Sequence, residues 1–294
     1  MDNYGDIKIG IITALPKECA AMKMMLHEVE ECFFDDRGAG HRFFVGKLKS
    51  ANGKKHRVAL GLCGMGNNQA AIRATNMLSH FKSIDSIIMT GIAGGIPSFQ
   101  NDSKQVRLGD IVVSNGVTQY DFVKETIEGI NVRSDSAKPS AQLLEAVNIM
   151  EIDEYENKYS WHEYLDEFSS KPQFTKPAAD TDMLYDSEDR LCEHPCDSTR
   201  TKYPKVFIGG IASANNLLKN PQKRNMLKDS YGVLAVEMEA SGISDATWNH
   251  ATGYLVIRGI CDYCDRHKND LWQEYAALVA ATYTRSLIET LPCF

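Results

Sequence analysis

Short apolar runs recur along the chain, each followed by glycine, proline or a polar segment of helical period. Residues 7–12 (Ile-Lys-Ile-Gly-Ile-Ile) read as a buried strand, and Pro16 then stands at a first helical position, opening a helix over 17–26 with Met22, Met25 and Leu26 on its apolar side. Residues 41–48 and 55–62 flank Asn52-Gly53 and predict a hairpin. Cys63-Gly-Met-Gly66 follows as a glycine turn, and Ala70, Ala74, Met77, Leu78 and Phe81 give the next helix its period. Residues 86–90 form a further strand that ends in the glycine turn Gly91-Ile-Ala-Gly-Gly95, and residues 108–114 and 116–120 add two more strands. After a polar interval, residues 206–213 read as strand and turn, and residues 219–228 as the solvated helix face of Lys219, Lys223, Arg224 and Lys228. Residues 232–236 form a strand running into Glu237-Met-Glu239. The stretch 253–265 is an apolar strand that breaks at Gly259 and delivers Asp262. Residues 271–291 close the chain as an amphipathic helix with Trp272, Tyr275, Leu278, Val279 and Tyr283. Alternating strands and helices with glycines after strands predict an α/β fold, with a mixed, largely parallel central sheet flanked by helices.

Residues 131–205 break that pattern. They are polar, with helices expected at 140–150 and, from the capping-box spacing at Ser160, at 160–168; Pro172, Pro177 and Pro195 punctuate the remainder. The section has too few apolar residues for a core of its own, so it is expected to be an insertion or lid on a single domain spanning 1–294.

Composition narrows the class. The formal net charge of −7 argues against general nucleic-acid binding, and no apolar run approaches membrane-spanning length. The start of the chain is acidic and lacks a secretory leader pattern. Eight scattered cysteines suit reduced thiols in a cytoplasm better than a disulfide framework. Cys192, His194 and Cys196 have zinc-like spacing but lack a fourth ligand nearby, so a surface turn with incidental thiols is favoured; no metal or cofactor is expected.

Three carboxylates fall just past strands. Glu18 lies in the first turn after the first strand, Glu239 follows the 232–236 strand, and Asp262 follows the last one. Ligands of open α/β sheets sit outside the carboxyl ends of strands, which makes these positions candidates for chemistry. Helix capping and the helix dipole supply a plain alternative for each.

Three stretches together resemble the nucleoside phosphorylase/nucleosidase superfamily: Ile9-Gly-Ile-Ile…Glu18; Thr90-Gly-Ile-Ala-Gly-Gly95 with Leu108-Gly-Asp-Ile-Val-Val; and Ala235-Val-Glu-Met-Glu-Ala240 with Val256-Ile-Arg-Gly-Ile-Cys-Asp262. The match is similar to methylthioadenosine/S-adenosylhomocysteine nucleosidases, and closer still to related domains of fungal NLR-like proteins and bacterial antiphage systems, some of which release adenine from ATP. The phrases Gly210-Ile-Ala-Ser-Ala-Asn215 and Arg258-Gly-Ile-Cys-Asp-Tyr…His267-Lys-Asn carry that closer likeness. The resemblance implies Asp262 as the acid that protonates purine N7, which requires surroundings that keep it protonated. It implies Glu18 as the group that positions and deprotonates water, Glu239 and Met238 at the ribose, Gly94 and Gly95 beneath it, and Ser213 and Ala214 at the base. Glu18 and Met89 stand where phosphorylases carry phosphate-binding arginines, which favours water as nucleophile. Ile92 replaces a common Ser or Thr, and Ser213 a common aromatic residue. A triphosphate requires several cations, and Arg200, Lys202, Arg224, Arg266, His267 and Lys268 are the candidates.

The leading expectation is therefore hydrolysis of the N-glycosidic bond of an adenine nucleotide, ATP giving adenine and ribose 5′-triphosphate, as an immune effector acting as a homo-oligomer (dimer or hexamer) under a regulatory partner. The alternatives are hydrolysis of methylthioadenosine, S-adenosylhomocysteine or another purine nucleoside, and a catalytically silent nucleotide-binding module.

Overall fold

In the computed structural model the chain begins with β1 (Ile7–Thr13), α1 (Pro16–Met25), β2 (His27–Phe34), β3 (His41–Lys49), β4 (Lys55–Leu62), α2 (Asn67–His80) and β5 (Ser86–Gly95). It continues through β6 (Ile111–Gln119), β7 (Val123–Thr126), β8 (Gly129–Val132), α3 (Ala141–Tyr155), α4 (Ser160–Phe168), β9 (Leu184–Tyr185) and β10 (Leu191–Cys192). It ends with β11 (Val206–Ser213), α5 (Pro221–Tyr231), β12 (Val233–Glu237), α6 (Ala240–Asn249), β13 (Gly253–Asp262) and α7 (Gln273–Thr290). The structure describes residues 4–34, 41–99, 105–127, 129–133 and 138–293; residues 1–3 of the acidic lead and 134–137 of the polar section lie outside these.

Among the described residues, nine strands hydrogen-bond in the order β12-β11-β6-β13-β5-β1-β4-β3-β2, and β12 also pairs with β5. β4, β1, β5 and β13 are successively parallel, and β6, β11 and β12 form a second parallel run. β13 meets β6 antiparallel, and β12 crosses to β5 antiparallel. The expected largely parallel sheet is present, with the 41–62 hairpin at one side.

Five sequence expectations change, the first being that 108–114 and 116–120 form one strand, β6, and not two. Residues 91–95 are not a turn: β5 runs through Gly95, paired with β13 on one side and β12 on the other. The glycines there make room for side chains from other elements. A Cβ on Gly91 would lie 2.5 Å from Glu18 Oε1 and 2.6 Å from Arg258 Nη1, and one on Gly94 would lie 2.2 Å from Cys264 Sγ. β13 likewise continues past Gly259 to Asp262. Gly259 packs on α7 so closely that a Cβ would meet the Ala276 carbonyl oxygen at 2.0 Å. β2 was hidden by its charged, half-exposed residues, as suits an edge strand. Finally, α7 is buried on every side from Tyr275 through Ile288, because α1, α3, α4 and the sheet surround it. Each large apolar side chain so buried contributes about 1.5–3 kcal/mol.

The polar section is anchored rather than free-standing. Leu143, Val147, Trp161 and Leu165 from α3 and α4 are buried in the same cluster as Leu278, Val279 and Tyr283 of α7. Among the described residues, no helix is long and apolar enough to cross a membrane.

Candidate active site

A cavity of about 320 Å³ opens where β1, β5, β12 and β13 end, a size suited to a small-molecule ligand. Glu18, Glu237, Met238, Glu239, Gly94 and Lys268 all line it.

Glu18 is set by the β1–α1 turn. Pro16 starts the helix, and the Glu18 carboxylate folds back to accept the N–H groups of Ala14 and Leu15, both at 2.8 Å, through Oε2. Oε1 accepts the Ile92 N–H at 2.8 Å, which ties α1 to β5. Burial raises the Glu18 carboxyl above its ordinary value; the Arg258 charge and the three backbone N–H groups oppose that. Helix capping and site placement thus coexist in one side chain.

Glu237 and Glu239 sit in the β12–α6 turn. Glu237 accepts the N–H groups of Glu239 and Ala240 and so caps α6. Glu239 accepts Gly66 N–H at 2.9 Å. Arg258, fully buried in β13, pairs with Glu237 through a very short contact and with Glu239 at 3.2 Å. Burial pushes the Glu239 carboxyl up to about 7; Arg258 and the Gly66 N–H pull it down, and Glu237 and Glu18 add to the rise. Arg258 was not among the residues singled out by sequence. Its signal was present: a charge in the middle of Leu255-Val-Ile-Arg-Gly-Ile, where a lone charge is costly unless paired.

Asp262 ends β13. Its Oδ1 accepts the Cys264 N–H at 2.9 Å, and its Oδ2 receives Lys268 Nζ at 2.5 Å and Cys261 Sγ at 3.2 Å. The surroundings expected to keep this carboxyl protonated instead include an ammonium. Asp262 lines a small adjoining space of about 40 Å³, and Cys261 and Lys268 belong to the walls of both spaces. Burial would pull the Lys268 ammonium down, but the Asp262 carboxylate outweighs it and the net direction is up.

The other candidates divide. Met238 and Gly94 line the cavity, whereas Gly95 faces Ile260 and Val106. Ser213 is fully buried and donates to Asn67 Oδ1, and Ala214 is buried in an apolar cluster; the wall in this region is Asn216, Leu217, Leu218 and Lys219. Of the six phosphate candidates, Lys268 alone reaches the cavity. Arg200 is taken up by Asp110 at 2.6 Å, and Lys202 lies near Asp166 at 3.5 Å on the surface. Arg224 is fully buried against the Tyr263 carbonyl at 2.9 Å, which also corrects the solvated-face reading. Arg266 and His267 both hold Asp189. Lys219, read from sequence as a surface charge, is the second cation of the cavity wall.

No described residue of 131–205 lines the main cavity, but Thr181, Met183 and Tyr185 help wall the small space that Asp262 faces. The polar section grips the loop after β13 from behind. Asp182 receives the Tyr263 hydroxyl at 2.6 Å, Thr181 receives Trp272 Nε1 at 3.1 Å, and Tyr185 stacks on His267. His194 in the same section has both ring nitrogens engaged, by Gln105 and by the Asp182 carbonyl.

Comparison with known proteins shows what the chain is similar to. The phosphorylase superfamily model matches residues 8–289. A nucleotide-binding leucine-rich repeat (NLR)-like protein of Hyaloscypha variabilis is 31% identical over 96% of this chain, which spans 29% of that relative. The 5′-methylthioadenosine/S-adenosylhomocysteine nucleosidase of Mycobacterium tuberculosis is 25% identical over 97% of both chains. The ATP nucleosidase Cap17 of Escherichia coli is 24% identical over 95% of this chain and half of its own length. Among solved structures, an S-adenosylhomocysteine nucleosidase from Streptococcus pyogenes in complex with 5-methylthiotubericidin superposes with a TM-score of 0.66 at 20% identity, covering 98% of each chain.

Proposed function

The chain belongs to the phosphorylase superfamily, and from that membership we propose that it is a purine N-glycosidase that uses water, with ATP as substrate and adenine and ribose 5′-triphosphate as products. The observation that carries the reading is the placement of Glu18 and Glu239 in the wall of the cavity with Asp262 in the small space adjoining it, each from a different strand end.

In this reaction the C1′–N9 bond breaks and its electron pair leaves with adenine. Asp262, in its protonated form, gives its proton to N7. Water forms the new bond to C1′ and passes a proton to Glu18. Glu239 accepts ribose hydroxyls while Met238 packs on the sugar. Return of the Glu18 proton to solvent, and of a proton to Asp262, completes the cycle. Hydrolysis is favoured over phosphorolysis because the cation nearest the nucleophile side, Arg258, is already taken by Glu237 and Glu239, and Met89 is buried in the sheet.

ATP is favoured by Lys219 and Lys268 in the cavity wall and by the likeness to an ATP nucleosidase. A second reading, methylthioadenosine or S-adenosylhomocysteine hydrolysis, draws on the mycobacterial relative that matches end to end. The same proposal takes residues 1–294 as one nucleosidase domain with 131–205 inserted, assembled as a homo-oligomer and deployed as an immune effector. The scatter of eight cysteines along the chain favours a cytoplasmic setting.

The deciding experiment is chromatography of ATP, adenosine and methylthioadenosine after incubation with the protein. Adenine and ribose 5′-triphosphate from ATP are expected, and Asp262→Asn should abolish their release. Ribose 1-phosphate formed only with added phosphate would make the chain a phosphorylase, and tight binding without cleavage would make it a silent module.

A further inference from the structure

Lys268 stands between the proposed acid and the space where substrate would lie. Asp262 faces the small adjoining space, while Lys268 and Cys261 are shared with the main cavity. Both Asp262 oxygens are occupied, Oδ1 by the Cys264 N–H and Oδ2 by Lys268 Nζ at 2.5 Å together with the Cys261 thiol. In this arrangement Oδ2 is held by an ammonium and a thiol while Oδ1 accepts a single N–H, so a proton destined for N7 has to be gained against the positive charge of Lys268. The ionisable groups around the carboxylate are Lys268, Cys261, Cys264 and Asp265, with Tyr185, Tyr263 and His267 in the walls of the same small space and Arg224 beyond them. Burial lifts both thiols upward, so they stay neutral and the ammonium is the charge that faces Asp262 most directly.

Resting on the glycosidase reading above, we propose that Lys268 is a transferable countercharge: a phosphate of the bound nucleotide draws it off Asp262, and only then is Asp262 free to take up a proton and deliver it to the base. In an anti nucleotide the N7 edge and the 5′-phosphate lie on the same side of the molecule. A lysine in contact with the N7 acid can therefore swing to that phosphate without leaving the site. Lys268 is suited to the move: it is partly exposed, on a flexible stem, and among the described residues its ammonium is anchored on Asp262. Nucleosides without phosphate leave the pair closed. Discrimination between ATP and adenosine then appears in kcat as well as in KM, because phosphate binding assembles the acid.

The test uses the intact chain and measures adenine release from ATP and from adenosine. The wild-type protein should turn over ATP with a kcat at least about tenfold above that for adenosine. Inorganic tripolyphosphate added in trans should accelerate adenosine cleavage. Lys268→Met should raise the kcat for adenosine and bring the two kcat values together, and Lys268→Arg, which keeps a mobile cation, should preserve the wild-type ratio. A Lys268→Met variant that loses both activities by the same factor, or that raises only the KM for ATP, overturns the proposal. Should that variant not fold, the trans experiment decides alone: no acceleration by tripolyphosphate overturns it. The two readings fail differently. Adenine released from no purine substrate removes the glycosidase itself, whereas equal kcat for ATP and adenosine leaves the glycosidase standing and removes the switch.

Discussion

The Tyr263 hydroxyl donates to Asp182 Oδ1 over 2.6 Å, joining the residue next to Asp262 to the polar section 81 positions earlier. Tyr263 is buried, and although its oxygen also accepts the Leu108 N–H at 3.3 Å, losing Asp182 would leave its O–H without an acceptor. Asp182→Ala is therefore expected to cost about 1–3 kcal/mol in stability. It should also lower kcat about tenfold, because the loop carrying Asp262 and Lys268 loses its rear support. Urea denaturation together with steady-state kinetics checks both. A double-mutant cycle with Tyr263→Phe should give a coupling of at least about 0.5 kcal/mol; additive effects would mean that the pair does not act as a unit.

Gly94 lies where β5 passes under the acid loop. A Cβ there would be 2.2 Å from Cys264 Sγ and 2.8 Å from Asp262 Oδ1. Gly94→Ala should push both aside and reduce kcat by about a hundredfold, the scale of a 1 Å misplacement. Shortening the neighbour with Cys264→Ala in the same chain should recover part of that loss. Absence of recovery would locate the damage in the backbone of β5 instead.

These two contacts illustrate what could and could not be read along the chain. Strands, helices and the three carboxylates were visible because each depends on local pattern: apolar runs, Pro16 at a helix start, and a carboxylate just past a strand. The glycines at 91–95 suggested a turn because glycine usually signals one, yet here they admit side chains from α1 and β13, a requirement visible only in three dimensions. The fates of the six candidate cations were equally hidden. Arg200 and Arg224 differ from Lys268 only in what tertiary packing sets beside them: Asp110, the Tyr263 carbonyl and Asp262 respectively. The polar section stood out by composition, but its contacts with the loop after β13, such as Thr181 with Trp272, join residues far apart in sequence, which no local pattern encodes.

Glu18 is raised by burial, and as the proposed base it must be ionised. The acid limb of kcat/KM should accordingly lie above the ordinary glutamate range, with activity falling as pH drops through that raised value. Glu18→Ala should remove about 10²–10⁴ of the rate while ATP still binds, and should abolish that limb. A calorimetric titration and a pH profile test the claim. Equal loss of binding and turnover would make Glu18 a structural cap for the β1–α1 turn.

Arg258 is the cation on which three buried carboxylates depend. It is fully buried, contacts Glu237 and Glu239 directly, and acts on Glu18 through space. Removing one partner of a buried ion pair costs about 3–5 kcal/mol, so Arg258→Met should be strongly destabilised. The loss has a definite pH dependence. The Glu239 carboxyl already sits at about 7 when folded, above its unfolded value, so the native state binds more protons than the unfolded state between these values. Stability then falls as pH rises through that window. Without the guanidinium, the Glu18 and Glu239 carboxyls are pushed further up and the fall becomes steeper. Thermal melts at pH 5 and pH 8 should show a wider gap for Arg258→Met than for the wild-type protein, with the variant better preserved at the lower pH. A gap of the same size in both proteins would mean that Arg258 contributes packing rather than the charge that holds these carboxylates in place.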